Sequence, residues 1–348
     1  MGALVLLGTR KGLFLIRDGD VEGPLLAGWE VNHALRDPRD GTLYAAANSW
    51  TYGGTVQRSR DGGATWERSE QLALPEESGL TVKAAWHVEP GHPSQPQTLY
   101  LGVDPGALFR SDDGGESWEP VRGILEHPTR DRWHPGAGGL CCHSIQVDPQ
   151  DPARLVVAIS AAGAFRTEDG GETWTPANAG VAADFLPDPY PEVGQCVHKL
   201  LQHPARPERL WQQNHCGVYR SDDRGVSWER LDGNGLPSSF GFGLALDPAG
   251  PDVAYVCPEE GAENRVTSNG RLGVYKTEDG GAGWRLLEGG LPERAWVGVL
   301  REAMSFDAAG GVYLGTQSGS LWATGDGGET WTEEARDLPP ILSVVAWS

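Results

Sequence analysis

Thr167-Glu168-Asp169-Gly170-Gly171-Glu172-Thr173-Trp174 is one of six copies of the pattern Ser/Thr-x-Asp-x-Gly-x-x-Trp. The others are Ser59–Trp66, Ser111–Trp118, Ser221–Trp228, Thr277–Trp284 and Thr324–Trp331. The copies begin at residues 59, 111, 167, 221, 277 and 324, a period near fifty residues. A period of that size, with β-type segments between copies, marks repeated units that must stack to bury a core. Within each copy the Asp carboxylate can accept backbone N–H groups of its own turn, and Gly supplies the left-handed positions the turn needs. The Trp opens the next strand and offers an apolar face to pack between sheets. One Asp per repeat in a constant local setting (Asp61, Asp113, Asp169, Asp223, Asp279, Asp326) suits a turn staple better than a cation or sugar ligand.

Each copy follows a short apolar strand such as Val218-Tyr219-Arg220 or Ala164-Phe165-Arg166. Upstream lie two more strands. The first ends at an Asp-Pro-like corner, as in Cys142–Pro149 and Gly243–Pro248, and the second reads Leu-Tyr-x-Gly, as in Leu99–Gly102. Six four-stranded units result. Two pieces remain. Residues 4–16 read as second and third strands with no first, and Ile341–Trp347 reads as a first strand with nothing after it. Joined, they make a seventh unit from residues 1–30 and 340–348, whose turn has decayed to Arg17-Asp18-Gly19-Asp20. The expectation is an all-β, seven-bladed propeller of four-stranded antiparallel blades, one domain over residues 1–348. Closing the ring with both termini removes the edges an open array would expose.

The repeated motif resembles the Asp-box, or BNR repeat, of sialidases, sortilin-type receptors and photosystem assembly factors. The resemblance covers essentially the whole chain and implies the propeller fold together with a glycosyl-hydrolase-like or sialidase-like label. Known sialidases have six blades, an early Arg-Ile-Pro segment, an arginine triad and a Tyr/Glu nucleophile pair. This chain has seven blades and no Arg-Ile-Pro, so true sialidase activity is not expected. It is similar in character to soluble bacterial propellers with BNR-like repeats.

Composition bounds the partners. A formal charge of −20 excludes the basic patch that nucleic acid or an anionic membrane surface would need. No segment has the length of a membrane span, and the first apolar run, Ala3–Leu7, is too short for a signal peptide. Five Cys, an odd number over a large domain, argue against a disulfide framework. A bacterial cytoplasmic protein is expected.

Elaborated loops carry function on a rigid scaffold. The long segments 123–140, 177–195, 48–54 and 257–273 all fall on the face opposite the Asp-boxes, here called the top. Residues reaching the top of the channel include Asn32 and His33, His87, Cys141 and His143, Cys196 and His198, Asn214, His215 and Cys216, and Arg301-Glu302. Trp133, with Arg130, Arg132 and His134, can hang over the mouth, and Arg265 sits in a long loop. Strand alternation puts the Cys and His of each pair on one face.

That rim supports three assignments. A divalent transition metal would use His143, His198, His215 and Cys196. A polar pocket would take a small molecule or carbohydrate, with Glu302, His143 and His198 as acid/base groups and Arg301 or Arg265 holding an anion. Alternatively the Cys residues simply pack and the His residues line a wet channel, leaving a non-catalytic binding or assembly scaffold that meets a protein partner.

Overall fold

The computed structural model describes residues 3–348. It holds seven four-stranded antiparallel sheets, and helix is confined to single turns. The closing blade has the strand order Ile341–Trp347, Leu4–Thr9, Gly12–Arg17, Asp20–Leu25. Its inner pair is in register with Leu6 opposite Val345 and Leu7 opposite Val344. The seventh blade and its two-terminus closure are as expected. Its fourth strand, almost wholly exposed, follows a two-residue turn in which Asp18 and Gly19 both have positive φ, the geometry that matches strand twist in tight hairpins.

The six boxes are self-satisfied turns. In the first, Thr65 donates its amide and its hydroxyl to the Asp61 carboxylate at 2.9 and 2.5 Å, and Ser59 Oγ donates at 2.7 Å. Ser59 Oγ in turn accepts the Gly63 amide at 2.9 Å. Asp113, Asp169, Asp223, Asp279 and Asp326 repeat the arrangement. The Trp that closes the box is buried in five of the six, Trp66 being only partly so, and in two cases it reaches the preceding blade. Trp228 Nε1 donates to Ala177 O and Trp284 Nε1 donates to Leu231 O, both at 2.8 Å.

These hydrogen bonds favour the carboxylate. Thr65, then Ser59, holds Asp61 down at about 2, against an ordinary 3.8. Asp326 is likewise held at about 2, first by Thr324. A carboxyl depressed in the folded state stabilises it above the unfolded pKa, and that contribution is lost as pH falls through the folded value. The expected result is a denaturation midpoint that drops progressively from about pH 4 to pH 2. Asp61→Asn should flatten that slope measurably, and an unchanged slope would mean the boxes do not govern acid stability.

Seven strands line the axis: Glu30–Arg36, Ala84–Pro90, Cys142–Val147, Val197–His203, Gly241–Leu246, Met304–Phe306 and Ile341–Trp347. Five of them carry a register shift at the same place, so that Asn32, Trp86, His143, His198 and Phe242 are each the extra residue of a bulge. A bulge turns the strand and re-aims its side chains. The expected two-residue alternation through Cys141/His143 and Cys196/His198 is therefore interrupted at the residues that matter.

Second strands pack behind these bulges, and this explains the recurring Leu-Tyr-x-Gly. A Cβ on Gly102 would run into the backbone carbonyl of Cys142 in the next blade, and one on Gly8 would run into that of Val31. Between the sheets the core is filled by large side chains, among them the fully buried Trp211, Tyr100, Tyr219, Phe109 and Phe165.

Candidate functional site at the axial channel

The bulged residues do two different jobs. Three of them tie neighbouring blades together: Asn32 Nδ2 donates to Ala85 O at 3.0 Å, His143 Nε2 to Val197 O at 2.9 Å, and His198 Nδ1 to Gly241 O at 2.6 Å. Each acceptor is the residue just before the next blade's bulge. The other two, Trp86 and Phe242, present aromatic faces to the channel mouth. There the Arg301 guanidinium lies 5.6 Å from the Trp86 ring and 5.8 Å from Phe242, and Nη1 donates to Ser160 Oγ at 2.8 Å. Arg265, in a left-handed conformation, stacks 5.7 Å from Phe242.

These groups border an upper cavity of about 270 Å³, together with Arg10, Glu30, Glu259 and Glu302. Glu259 is the group the sequence reading missed. Its Oε1 accepts the Val299 amide at 2.9 Å and its Oε2 has no partner among the described residues. Burial pushes its carboxyl up to about 7, outweighing the Val299 hydrogen bond. The only signal was its place in the long loop 257–273, beside a second Glu.

Below this cavity the channel narrows to a buried charged waist. Glu302 pairs with Lys199, and His87 Nδ1 lies 3.5 Å from Glu302 Oε1 without hydrogen-bond alignment. His87 Nε2 meets Glu89 at 3.3 Å, and the His33 and His87 rings stack at 4.0 Å. Burial alone would push Glu302 up, but the Lys199 charge and then His87 hold it well below the carboxylate range. Burial opposes a charge on His87 as well, yet Glu302 outweighs it and raises that imidazole. His33 is driven well below 6.5 by burial and by His87. Beneath the waist a wider cavity of about 630 Å³ opens toward the Asp-box face, rimmed by the corner residues Pro38, Pro90, Pro149, Pro204 and Pro248.

The remaining expected residues divide clearly. Cys196, His198 and His215 come together, with a potential ligand atom of each within 4.8 Å of the others. His143 is not in that group: its two nitrogens meet Val197 O and Ser144 Oγ, and burial keeps it neutral. His198 is also driven well below 6.5 by burial. Asn214 shapes its own loop, accepting the Cys216 amide at 3.2 Å.

Trp133 is corrected outright. It does not hang over the mouth but packs, 5% exposed, against Phe165 and His127, because Nε1 finds Thr129 Oγ1 at 2.9 Å and the ring can be buried whole. Arg130 donates to Gly106 O and Pro105 O, and Arg132 pairs with Glu192, so neither guanidinium is available to a ligand at the axis.

Residues 109–120, spanning the blade-two box, match the BNR/Asp-box repeat. The chain is a seven-bladed propeller that carries Asp-box turns. An oligoxyloglucan-reducing end-specific xyloglucanase of Emericella nidulans is 24% identical over 207 residues, which is 57% of this propeller and 23% of that enzyme. The propeller thus spans about a quarter of that relative's length. Among solved structures, an ancestral GH74 enzyme superposes with a TM-score of 0.60 at 18% identity, covering 91% of this chain and 38% of that one. YCF48 bound to D1 peptide superposes with a TM-score of 0.54 at 16% identity, covering 86% and 84%. Among the described residues no helix is long and apolar enough to cross a membrane.

Proposed function

We propose that the propeller takes a carbohydrate-like ligand in its upper axial cavity and acts on it as a glycoside-hydrolase-like enzyme, with Glu259 as proton donor. The observation that carries this reading is the contrast between two carboxyls bordering one cavity. Burial holds Glu259 at about 7, while Lys199 keeps Glu302 ionised. Environments that push two carboxyls apart are how one site supplies an acid and a fixed negative charge at neutral pH. The acid role expected of Glu302 thus passes to Glu259.

Glu30, on the opposite side of the ring in blade one, is the second carboxylate for activating water. Trp86 and Phe242 offer faces for a sugar ring, and Arg301 and Arg265 offer donors for its hydroxyls. The sequence similarity to a xyloglucanase supports the reaction class.

The test is a glycoside panel read as a pH profile. Glu259 must carry its proton, so activity should be present below about pH 7 and fall above it. Glu259→Gln should cost about 10²- to 10⁴-fold in kcat and remove the alkaline limb. An unchanged rate would take Glu259 out of the chemistry.

A second reading, a non-catalytic binding or assembly scaffold, is favoured by exposed aromatics on the same face. Trp50, Tyr52, Phe185, Tyr190 and Trp296 all lie exposed on top-face loops. Exposed aromatics of this kind are suited to a protein or peptide partner. Peptide or saccharide binding that survives Glu259→Gln, with no turnover by the intact protein, would decide for it.

A further inference from the structure

The upper cavity leaves the charged waist unexplained. Three atoms there, His33 Nδ1, His87 Nδ1 and Glu302 Oε1, have no hydrogen-bond partner among the described residues. All three belong to side chains that are at least 95% buried, with exposures of 5%, 3% and 4%. A single unpaired polar atom in a protein interior is already unusual. The three residues converge: a potential ligand atom of each lies within 4.8 Å of the others, and His87 Nδ1 is 3.5 Å from Glu302 Oε1.

Their other atoms are fixed in the way metal ligands are fixed. His87 presents Nε2 to the Glu89 carboxylate, and His33 is steadied from the Val88 backbone. That leaves His87 Nδ1 facing Glu302 Oε1 and His33 Nδ1 without a partner, the two nitrogens an ion could take by displacing a proton. Lys199 occupies the remaining oxygen of Glu302 and leaves Oε1 directed inward. Outer contacts of this kind set tautomer and orientation in histidine–carboxylate metal sites.

We propose that His33, His87 and Glu302 form a binding site for one divalent first-row transition ion of the zinc class. Two imidazoles and a carboxylate suit such an ion and leave a coordination position free. His33, His87, Lys199 and Glu302 all border the lower cavity, so the free position faces the Asp-box side of the ring, away from Glu259. With Lys199 beside a dication the site is electropositive, and it takes water, hydroxide or another small anion as its fourth ligand.

This site is distinct from the Cys196–His198–His215 cluster. Neither imidazole of that cluster carries a buried unpartnered nitrogen, and Cys196 and His215 are only partly buried. It shares Glu302 with the proposed hydrolytic cavity, but its test is separable because the readout needs no substrate.

The experiment uses the full chain stripped with a chelator and titrated with Zn²⁺ and Co²⁺, with metal content read by elemental analysis. The expected result is one equivalent per chain. The cobalt form should show visible bands of a nitrogen/oxygen site and lack the near-ultraviolet thiolate charge-transfer band. His33→Ala and His87→Ala should weaken binding at least about 100-fold. Cys196→Ser and His215→Ala should leave it unchanged. A thiolate band, binding lost in Cys196→Ser, or no stoichiometric metal in the folded wild-type protein would each overturn the assignment. The spectral readout stands even if a waist variant fails to fold.

Discussion

Replacing Lys199 with Met is expected to destabilise the propeller by about 3–5 kcal/mol, read as a fall in the urea midpoint at neutral pH. Lys199 and Glu302 are 7% and 4% exposed, so their charges face each other away from bulk water. Removing the ammonium leaves an ionised carboxylate whose next electrostatic support is the His87 imidazole. The carboxyl must then be neutralised or hydrated at the centre of the ring.

The decisive comparison is the double variant Lys199→Met/Glu302→Gln. Replacing both members of a buried pair by neutral groups of similar shape is far gentler than orphaning one. The double variant should recover most of the loss, giving a coupling energy well above the ~0.5 kcal/mol expected of independent sites. Simple additivity of the two single losses would show that the pair is not what holds the waist.

A comparably large effect is expected from Gly102→Val. The second strand of blade two passes so close to the bulge of blade three that a Cβ at residue 102 collides with the Cys142 carbonyl. Backbone cannot rotate aside as a side chain can, so the two blades must separate. Overpacking of this kind costs typically 1–3 kcal/mol when side chains can yield, and about 3 kcal/mol or more is expected here. Gly19→Asn is the control: nothing lies within 4 Å of an added Cβ at Gly19, and Asn tolerates the left-handed turn. It should stay within about 0.5 kcal/mol of the parent. Equal losses for the two would refute the close-approach explanation of the Leu-Tyr-x-Gly pattern.

The fold was legible because its signals are local. Asp61 and its five counterparts close their turns with residues no more than four positions away, so the chemistry of each turn is written in consecutive letters. The decayed turn at Asp18-Gly19 still exposed the seventh blade through strand pattern. The site was less legible because its geometry depends on non-local events. A bulge at His143 or His198 is set by the register with the neighbouring strand, and it turned two expected channel ligands into inter-blade ties.

Trp133 was misplaced because its partner Thr129 lies in a loop whose folding back could not be read from spacing. Lys199 and Glu259 were passed over although each carried a faint mark. Lys199 is one of only four lysines in the chain and sits in an inner strand, and Glu259 lies in the longest top-face loop between paired strands. What joins Lys199 to Glu302 is the closure of the ring itself, across a separation of 103 positions.

Glu302 borders both axial cavities. The channel is therefore two chambers that share one ionised carboxylate in their linings. Whatever changes its charge sharing from below is felt above, where Arg301 and Glu259 line the other chamber. Linkage makes such an influence mutual: an occupant of the upper chamber must alter affinity in the lower one by the same factor that the lower occupant alters its own. The propeller's two faces, which its turns and loops make so different, would then be thermodynamically coupled through a single side chain.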